Sequence, residues 1–186
     1  MSLVLLVSGS TRSGSTNGAL LRTAAAVAPR GVATELHEEL AALPHFNPDD
    51  DAEGAELHPA VVRLRSRLAA ADAVLFSTPE YAGDLPGSFK NLLDWTVGGG
   101  ETYGVPVGWV NAASVASPNG ALDTYASLRR VLGYTGAQIV EEACLRLPLS
   151  RGRVGSDGLI ADAEVRTALS AALGALASGA WPSTPQ

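Results

Sequence analysis

The sequence predicts an α/β fold in which a five-stranded parallel sheet, with strand order 2-1-3-4-5, is covered by helices on both faces. Short apolar runs alternate with longer stretches of helical periodicity along the chain, as in proteins built from strand–helix–strand units. The apolar runs are continuous, which is typical of strands covered on both faces. Right-handed crossovers leave few topologies, and this strand order is the common one for a chain of 186 residues.

Five strands and five helices account for the alternation. We predict the strands at Leu3–Val7, Val32–Glu38, Ala73–Phe76, Val105–Asn111 and Ala137–Leu145. The predicted helices are Gly18–Ala28, Pro59–Ala71, Pro86–Trp95, Leu122–Leu132 and Ala161–Ser178. Val61, Leu64 and Leu68 have the spacing of one helix face. Because no repeat or linker divides the chain, we expect one domain over residues 1–180, followed by a frayed tail at 181–186.

Composition narrows the class of protein. A formal net charge of −6 argues against a nucleic-acid partner, which would require a basic face. The first apolar run is too short for a signal peptide or a membrane span, and Cys144 has no second cysteine to pair with. We therefore expect a cytoplasmic protein without a membrane partner. No residue spacing predicts a metal site: Asp49–Asp51 is interpreted as a solvated loop, and the three histidines as surface residues.

The segment Ser8–Asn17 follows the first strand and leads into the first helix. Free N–H groups and the dipole at a helix N-terminus attract anions, and a guanidinium can grip two oxygens at once. We therefore predict a phosphate-binding loop, with Arg12 as the charged residue. The predicted hydroxyl, amide and backbone donors are Ser10, Ser15, Thr16 and Asn17. An alternative interpretation is that Ser15, Thr16 and Asn17 only cap the helix.

Three known phosphate loops do not fit this segment. It has no lysine for a nucleotide-hydrolase loop, and Gly9 and Gly14 lack the spacing of the dinucleotide fingerprint. It also has no nucleophilic cysteine of the kind that a phosphatase needs. What remains is a loop that binds a monophosphate and does no chemistry on it.

A second loop, Ser77–Gly87, follows the third strand, so it lies at the same sheet edge as the first. Its exposed backbone groups suit the polar edge of a flat heterocycle, against which Tyr81 can lie. Glu80 is a candidate general base, but no histidine or second carboxylate stands beside it in sequence. The alternative is that Glu80 is structural or binds a neighbouring subunit. The third loop, Asn111–Gly120, is either a close contact for a planar ligand or an ordinary loop before the next helix.

The two loops together resemble those of the NADPH-dependent FMN reductase family of flavodoxin-like proteins, whose members also act on quinones, azo dyes or metal oxyanions. Gly9–Asn17 fits the family's Gly-Ser-x-Arg-x-x-Ser-x-Asn phosphate loop. Thr78–Gly87, with Lys90-Asn91 and Asp94-Trp95 after it, fits its Pro-Glu-Tyr-Asn…Pro-Gly…Lys-Asn…Asp-Trp pattern. The resemblance implies a three-layer flavodoxin-like fold. Ala82 departs from the pattern, because it stands where the family usually has asparagine.

By position, the resemblance implies which residues contact the cofactor. The FMN phosphate would lie on Ser10, Arg12, Ser15, Thr16 and Asn17, and the isoalloxazine ring along Pro79, Glu80, Tyr81 and Ala82, with its far side near Ser114 and Ser117. The residues Lys90, Asn91, Asp94 and Trp95 would brace the second loop or a dimer contact. None of these residues is expected to be catalytic.

The resemblance implies an FMN-dependent NAD(P)H oxidoreductase, with FMN and NADPH as cofactors, that passes electrons to a flavin, quinone, azo or similar small-molecule acceptor. It also implies a homodimer or homotetramer. Two alternatives remain open: an electron carrier that binds FMN without taking hydride from NAD(P)H, and a non-catalytic flavin-binding regulatory protein. A carrier usually has aromatic residues on both sides of the ring, and only Tyr81, Trp95 and Tyr103 are candidates here.

Overall fold

A five-stranded parallel sheet forms the centre of the protein in the computed structural model, which describes residues 1–113 and 121–179. Its strands are β1 (Ser2–Ser8), β2 (Val32–His37), β3 (Ala73–Ser77), β4 (Pro106–Ala113) and β5 (Gln138–Pro148). The hydrogen-bonded order is β2-β1-β3-β4-β5, and each neighbouring pair is parallel. The predicted sheet and its strand order are therefore confirmed.

In the described part of the chain, five α-helices connect and cover the strands. They are α1 (Thr16–Ala26), α2 (Pro59–Ala70), α3 (Gly87–Asp94), α4 (Leu122–Tyr134) and α5 (Ala163–Ser178). Short 3-10 turns lie at Leu40–Ala42, Pro48–Asp51 and Arg151–Arg153. Within the described residues, no helix is both long and apolar enough to cross a membrane. The predicted tail, 181–186, lies outside the described residues.

Two hydrophobic cores lie on opposite faces of the sheet. Successive side chains of a strand point to opposite faces. In β1, Val4 and Leu6 therefore pack into one core with α1 and α5, whereas Leu5 and Val7 pack into the other with α2, α3 and α4. This two-sided burial explains why the strand is apolar at every position from Leu3 to Val7.

The pairing of β4 with the edge strand β5 is irregular. Val107 pairs with Ile139, but the next pair along the ladder is Trp109 with Cys144, so β5 bulges outward between them. Arg129 of α4 contacts both sides of this bulge. Its Cζ lies 5.6 Å from the centroid of the Trp109 ring in β4, and its guanidinium pairs with Glu141 of β5. A bulge of this kind bends an edge strand away from flat pairing geometry.

Two sequence predictions about polar residues are wrong. Asp51 is not solvated: its carboxylate is buried and pairs with Arg65 at 2.8 Å, and Arg65 also pairs with Glu101 at 3.3 Å. His37 is not on the surface, because it is 1% exposed at the end of β2, where its Nδ1 lies 2.9 Å from Arg67 Nη1. Burial, followed by the charge of Arg67, lowers the pKa of His37.

Candidate functional site

The loops that follow β1 and β3 are in direct contact at the carboxyl edge of the sheet. The Gly9 N–H donates to the Ser77 carbonyl at 2.7 Å. A Cβ atom at Gly9 would lie 2.8 Å from Thr78 Cβ and 2.9 Å from the Phe89 ring. Only glycine allows this approach. The two loops that were predicted to share an edge therefore touch there.

The loop after β1 is folded so that its polar groups face the start of α1. Ser15 is the N-cap, and its hydroxyl accepts a hydrogen bond from Gly18 N at 2.9 Å. The Ser10 hydroxyl accepts from Arg12 N at 3.3 Å. Because both hydroxyls are acceptors in these bonds, their own O–H groups can still donate to a ligand. The first-turn N–H groups of Thr16 and Asn17 have no intrahelical acceptor. Helix capping therefore accounts for the acceptor role of the Ser15 hydroxyl. It does not account for the free donors of Ser15, Thr16 and Asn17.

Asn17 has a structural role that the sequence did not reveal. The side chain is buried, and its carboxamide oxygen accepts from Ser77 Oγ at 3.1 Å and from Ala112 N at 3.0 Å. It therefore ties α1 to the ends of β3 and β4. For the predicted contact with a phosphate, Asn17 still has two donors: its backbone N–H and the NH2 group of its side-chain amide.

A two-residue hairpin shapes the loop after β3. The backbone groups of Tyr81 and Asp84 exchange two hydrogen bonds, at 3.0 and 3.1 Å. Between them, Ala82 has φ +52° and Gly83 has φ +75°. Positive φ at both central positions is characteristic of a type I′ turn, for which Asn-Gly is the preferred sequence. An asparagine at position 82, which is usual in the pattern described above, would favour the backbone conformation of this turn. This effect is separate from any contact of its side chain with a ring.

Helix α4 supports this hairpin from the side. The Thr124 hydroxyl donates to Glu80 Oε2 at 3.2 Å. A hydrogen bond from Ser127 is the main cause that lowers the pKa of Asp84, and the Leu85 N–H at 2.6 Å lowers it further. Glu80 therefore has a supporting role in the described structure, which favours the structural interpretation over that of a general base.

The two loops enclose one cavity of about 440 Å³. The described residues that line it come from four strand ends: Ser10, Arg12, Ser15, Thr16, Asn17, Pro79, Tyr81, Ala112, Leu149, Ser150 and Arg151. Seven of the predicted cofactor residues thus share one cavity, whereas Glu80 and Ala82 lie outside its described wall. The predicted contacts Ser114 and Ser117 lie outside the described residues.

Sequence reasoning missed the contribution of the turn after β5. Leu149, Ser150 and Arg151 line the cavity together with the phosphate loop. The signal was present in principle, because the turn follows a parallel strand and so lies at the carboxyl edge of the sheet. No motif marked it, and β5 itself extends three residues beyond its predicted end.

Two further cavities adjoin this site. One of about 510 Å³ shares Leu149 and Ser150 with it, but is also lined by Asp162 and Glu164. Another, of about 340 Å³, lies on the side of the phosphate loop that faces Arg22 and Glu38, which pair with each other at 2.8 Å. In the part of the chain that the structure describes, no three His, Cys, Asp or Glu side chains form a metal site.

The residues after the second loop brace a different segment from the one expected. Asn91 Nδ2 and Trp95 Nε1 both donate to the Pro44 carbonyl, at 2.8 and 2.9 Å, and Asn91 Oδ1 accepts from Phe46 N at 2.7 Å. They hold the chain after β2, not the hairpin after β3. Lys90 pairs with Asp94 within α3 at 2.5 Å.

Comparisons with known proteins agree with this geometry. The family model of the NADPH-dependent FMN reductases matches residues 2–151. An NAD(P)H-dependent FMN reductase of Pseudomonas aeruginosa is 46% identical over 92 residues, an alignment that spans 50% of this chain and 48% of that protein. A quinone reductase of Escherichia coli is 32% identical over 142 residues, covering 75% of this chain and 73% of the relative.

A solved structure shows the same fold. It is the flavoenzyme NAD(P)H:(acceptor) oxidoreductase FerB of Paracoccus denitrificans, with a TM-score of 0.81 and 24% identity. The match covers 97% of this chain and 100% of that one. From the family match, which includes both loops of the cavity, we conclude that the chain belongs to the NADPH-dependent FMN reductase family and has its flavodoxin-like fold.

Proposed function

We propose that the protein is an FMN-dependent NAD(P)H oxidoreductase that takes hydride from NAD(P)H onto bound FMN and passes electrons to a flavin, quinone, azo or similar small acceptor. The observation that carries this proposal is the shared cavity. Arg12 and the hydroxyls of the phosphate loop line it together with Pro79 and Tyr81 of the loop after β3. The family match supports the same cofactors, FMN and NAD(P)H.

The residues present fit FMN in size and in chemistry. A cavity of about 440 Å³ lies within the range of roughly 300–1,000 Å³ that is usual for ligand sites. The hydroxyls of Ser10 and Ser15 and the first-turn N–H groups of α1 are donors suited to a phosphomonoester. Pro79, Tyr81 and Ala112 provide flat or small apolar surface suited to a ring.

The chemistry requires little of the protein beyond binding and orientation. Bound FMN would supply the redox step, because the isoalloxazine accepts a hydride and passes electrons on. The hairpin would hold Tyr81 beside the ring, and the 57% exposure of that side chain leaves the mouth of the site open to solvent. An open site suits two reactants that bind in turn.

The arrangement of aromatic residues disfavours an electron carrier. Trp95 is fully buried in the core beneath α3, where the centroid of its ring lies 5.0 Å from that of the Phe46 ring. Tyr103 precedes β4 and therefore lies at the opposite edge of the sheet from the cavity. Of the described residues that line the cavity, Tyr81 alone is aromatic, so the described wall does not place an aromatic side chain on each side of a ring.

We also propose that the protein acts as a homodimer or homotetramer in the cytoplasm. Tyr81 and Leu122 are 57% and 52% exposed, and their elements are joined by the contacts of α4 with the hairpin. Apolar exposure beside the cavity suits a subunit contact, and a lone cysteine suits a reducing compartment. Sedimentation velocity across a concentration series tests the oligomeric state, and a monomer at every concentration would overturn that part.

One anaerobic experiment tests the redox proposal. The purified protein is reconstituted with FMN, freed of unbound flavin, and mixed with NADPH without oxygen. We expect the absorbance near 450 nm to bleach within seconds (an order-of-magnitude expectation for catalytic turnover) and to return when a quinone is added. Retained colour without bleaching would favour the carrier. Failure to bind FMN at all would overturn the flavin proposal.

A further inference from the structure

The cavity contains a second guanidinium from a distant part of the sequence. Arg12 lies in the loop after β1, whereas Arg151 begins the 3-10 turn after β5, and both residues line the same cavity. The turn reaches the cavity because α1 and α5 cover the same face of the sheet. The segment that leads from β5 into α5 therefore passes the N-terminus of α1.

Carboxylates neutralise two neighbouring arginines of the described structure. Arg22 pairs with Glu38 at 2.8 Å, and Arg153 pairs with Asp162 at 2.5 Å. Among residues 1–113 and 121–179, the structure gives neither Arg12 nor Arg151 an ion pair. Two like charges that face one cavity repel each other, so the arrangement becomes favourable when an anion lies between them.

A phosphate monoester has the charge that this pair would balance. It carries between about −1.5 and −2 at pH 7, and one guanidinium supplies only +1. The hydroxyls and N–H groups of the phosphate loop donate hydrogen bonds but carry no net charge. Arg12 alone would therefore leave part of the phosphate charge uncompensated within the cavity.

We infer that Arg151 is a second phosphoryl-binding residue of the site, acting from across the cavity on the anion that Arg12 grips. The inference rests on the proposed function, because that function supplies two phosphoryl sources with the same chemistry: the phosphate of FMN and the phosphates of the pyridine nucleotide. It adds to the site a residue that lies outside both loop motifs.

Arg151 can be substituted with little structural consequence. Its side chain is exposed, and within the described residues the structure assigns it no side-chain hydrogen bond; its carbonyl accepts from Val154 N at 3.3 Å. Arg153 is a matched control, because it belongs to the same 3-10 turn but pairs with Asp162 and lines the adjoining cavity instead. Arg151→Gln and Arg153→Gln change the net charge equally.

The test measures binding as well as turnover. Dissociation constants of FMN and of riboflavin, which lacks the phosphate, are measured for the wild type and both variants by quenching of flavin fluorescence. The dissociation constant of NADP⁺ is then measured for each FMN-loaded protein. Loss of a charge-assisted hydrogen bond corresponds to a change of roughly 10- to 100-fold.

Each outcome decides the inference. A tenfold or greater weakening of FMN binding by Arg151→Gln, with riboflavin binding unchanged, would assign Arg151 to the FMN phosphate. Unchanged FMN binding with weaker NADP⁺ binding would assign it to the dinucleotide, and both results support phosphoryl binding. If Arg151→Gln matches Arg153→Gln for all ligands while the wild type binds FMN and bleaches, the inference fails and the proposed function stands. If the wild type binds no flavin, both fail.

Discussion

The carboxamide oxygen of Asn17 accepts a hydrogen bond from the backbone N–H of Ala112 at 3.0 Å, although the two residues are 95 positions apart. The same oxygen accepts from Ser77 Oγ at 3.1 Å. One buried atom therefore fixes the first turn of α1 against the ends of β3 and β4. These three elements bear the phosphate loop and two of the walls of the cavity, so the shape of the site depends on this atom.

Asn17→Ala is expected to destabilise the whole fold. It would leave the half-buried Ala112 N–H and the buried Ser77 hydroxyl without their acceptor, and an unsatisfied buried group costs about 1–3 kcal/mol. Urea denaturation of the apoprotein should show a lower free energy of unfolding by about that amount. An unchanged midpoint would mean that these hydrogen bonds contribute nothing.

Asn17→Asp is the matched variant, because it keeps the accepting oxygen. The stability of the apoprotein should stay near that of the wild type, since a carboxylate is also favourable in the first turn of a helix. FMN binding should weaken at least tenfold, because a negative charge now faces the phosphate. The opposite pattern, loss of stability with normal FMN binding, would remove Asn17 from the cofactor site.

Arg12→Ala should weaken FMN binding by about 1.5–3 kcal/mol, the range for a hydrogen bond to a charged group. Arg12 lines the cavity and is exposed, so its removal should leave folding intact. Titration with FMN and riboflavin measures the effect, and only FMN should respond. Equal losses for the two flavins would place Arg12 away from the phosphate.

Ala82→Asn should stabilise the protein. Ala82 has φ +52°, a conformation that costs an ordinary L-residue about 1–2 kcal/mol and that asparagine tolerates better. We expect a gain of about 0.5–1 kcal/mol in the free energy of unfolding. Ala171→Asn, on the exposed side of α5, is the control and should lose up to about 0.7 kcal/mol. Equal effects at the two positions would contradict the type I′ turn.

Glu101 should make the folded protein less stable as the pH rises, whereas a carboxyl group with a lowered pKa has the opposite effect. Burial is the main cause that raises the pKa of Glu101 in the folded protein, and Asp51 raises it further. A raised pKa contributes to the free energy of unfolding. This contribution is fully present below the pKa of Glu101 in the unfolded chain, and it is lost as the pH rises through the pKa in the folded protein. Glu101→Gln, which cannot ionise, does not lose this contribution.

The stability of Glu101→Gln relative to the wild type should therefore increase from about pH 4 to pH 7. Arg65 keeps its 2.8 Å pair with Asp51 in the variant, so the effect of ionisation can be observed separately. Chemical denaturation at several pH values measures it. A difference that is flat or decreases with pH would contradict the raised pKa.

Cys144 should be unreactive in the folded protein. Burial raises its pKa to about 12, and its Sγ lies 3.4 Å from the Val140 carbonyl oxygen. Because the thiolate is the nucleophile, alkylation by iodoacetamide at pH 8 should be at least about 100-fold slower in the native protein than in urea. Equal rates would show that the thiol is accessible and ionisable.

Local patterns were sufficient to predict the sheet order and the meeting of the two loops. Continuous apolar runs define strands without reference to distant residues, and parallel topology then brings the residues around Ser10 and Tyr81 to one edge. The predicted boundaries differ from the observed ones by at most three residues, and the largest difference is at the end of β5. The first helix begins at Thr16, not Gly18, because Ser15 supplies the cap.

Contacts between distant segments could not be predicted in this way. Asp51 belongs to an acidic run that has the composition of a solvated loop, and its burial depends on Arg65 of α2 and on Glu101. Arg151 lies in a turn without a motif, and its place in the cavity follows from the packing of α5 beside α1. Each case depends on tertiary packing, which no sequence spacing indicates.

The bulge in β5 affects how this edge of the sheet could pair with a strand of another chain. β5 is an outer strand of the sheet, and an outer strand is a template on which a second sheet can continue. Between Ile139 and Cys144 the ladder is interrupted. Two exposed glutamates lie on that segment: Glu141, which pairs with Arg129, and Glu142. Regular strand geometry is therefore missing over that segment of β5. An interrupted edge with charged side chains is a poor template for the addition of a further strand, and this protects the β5 side of the sheet from edge-to-edge aggregation.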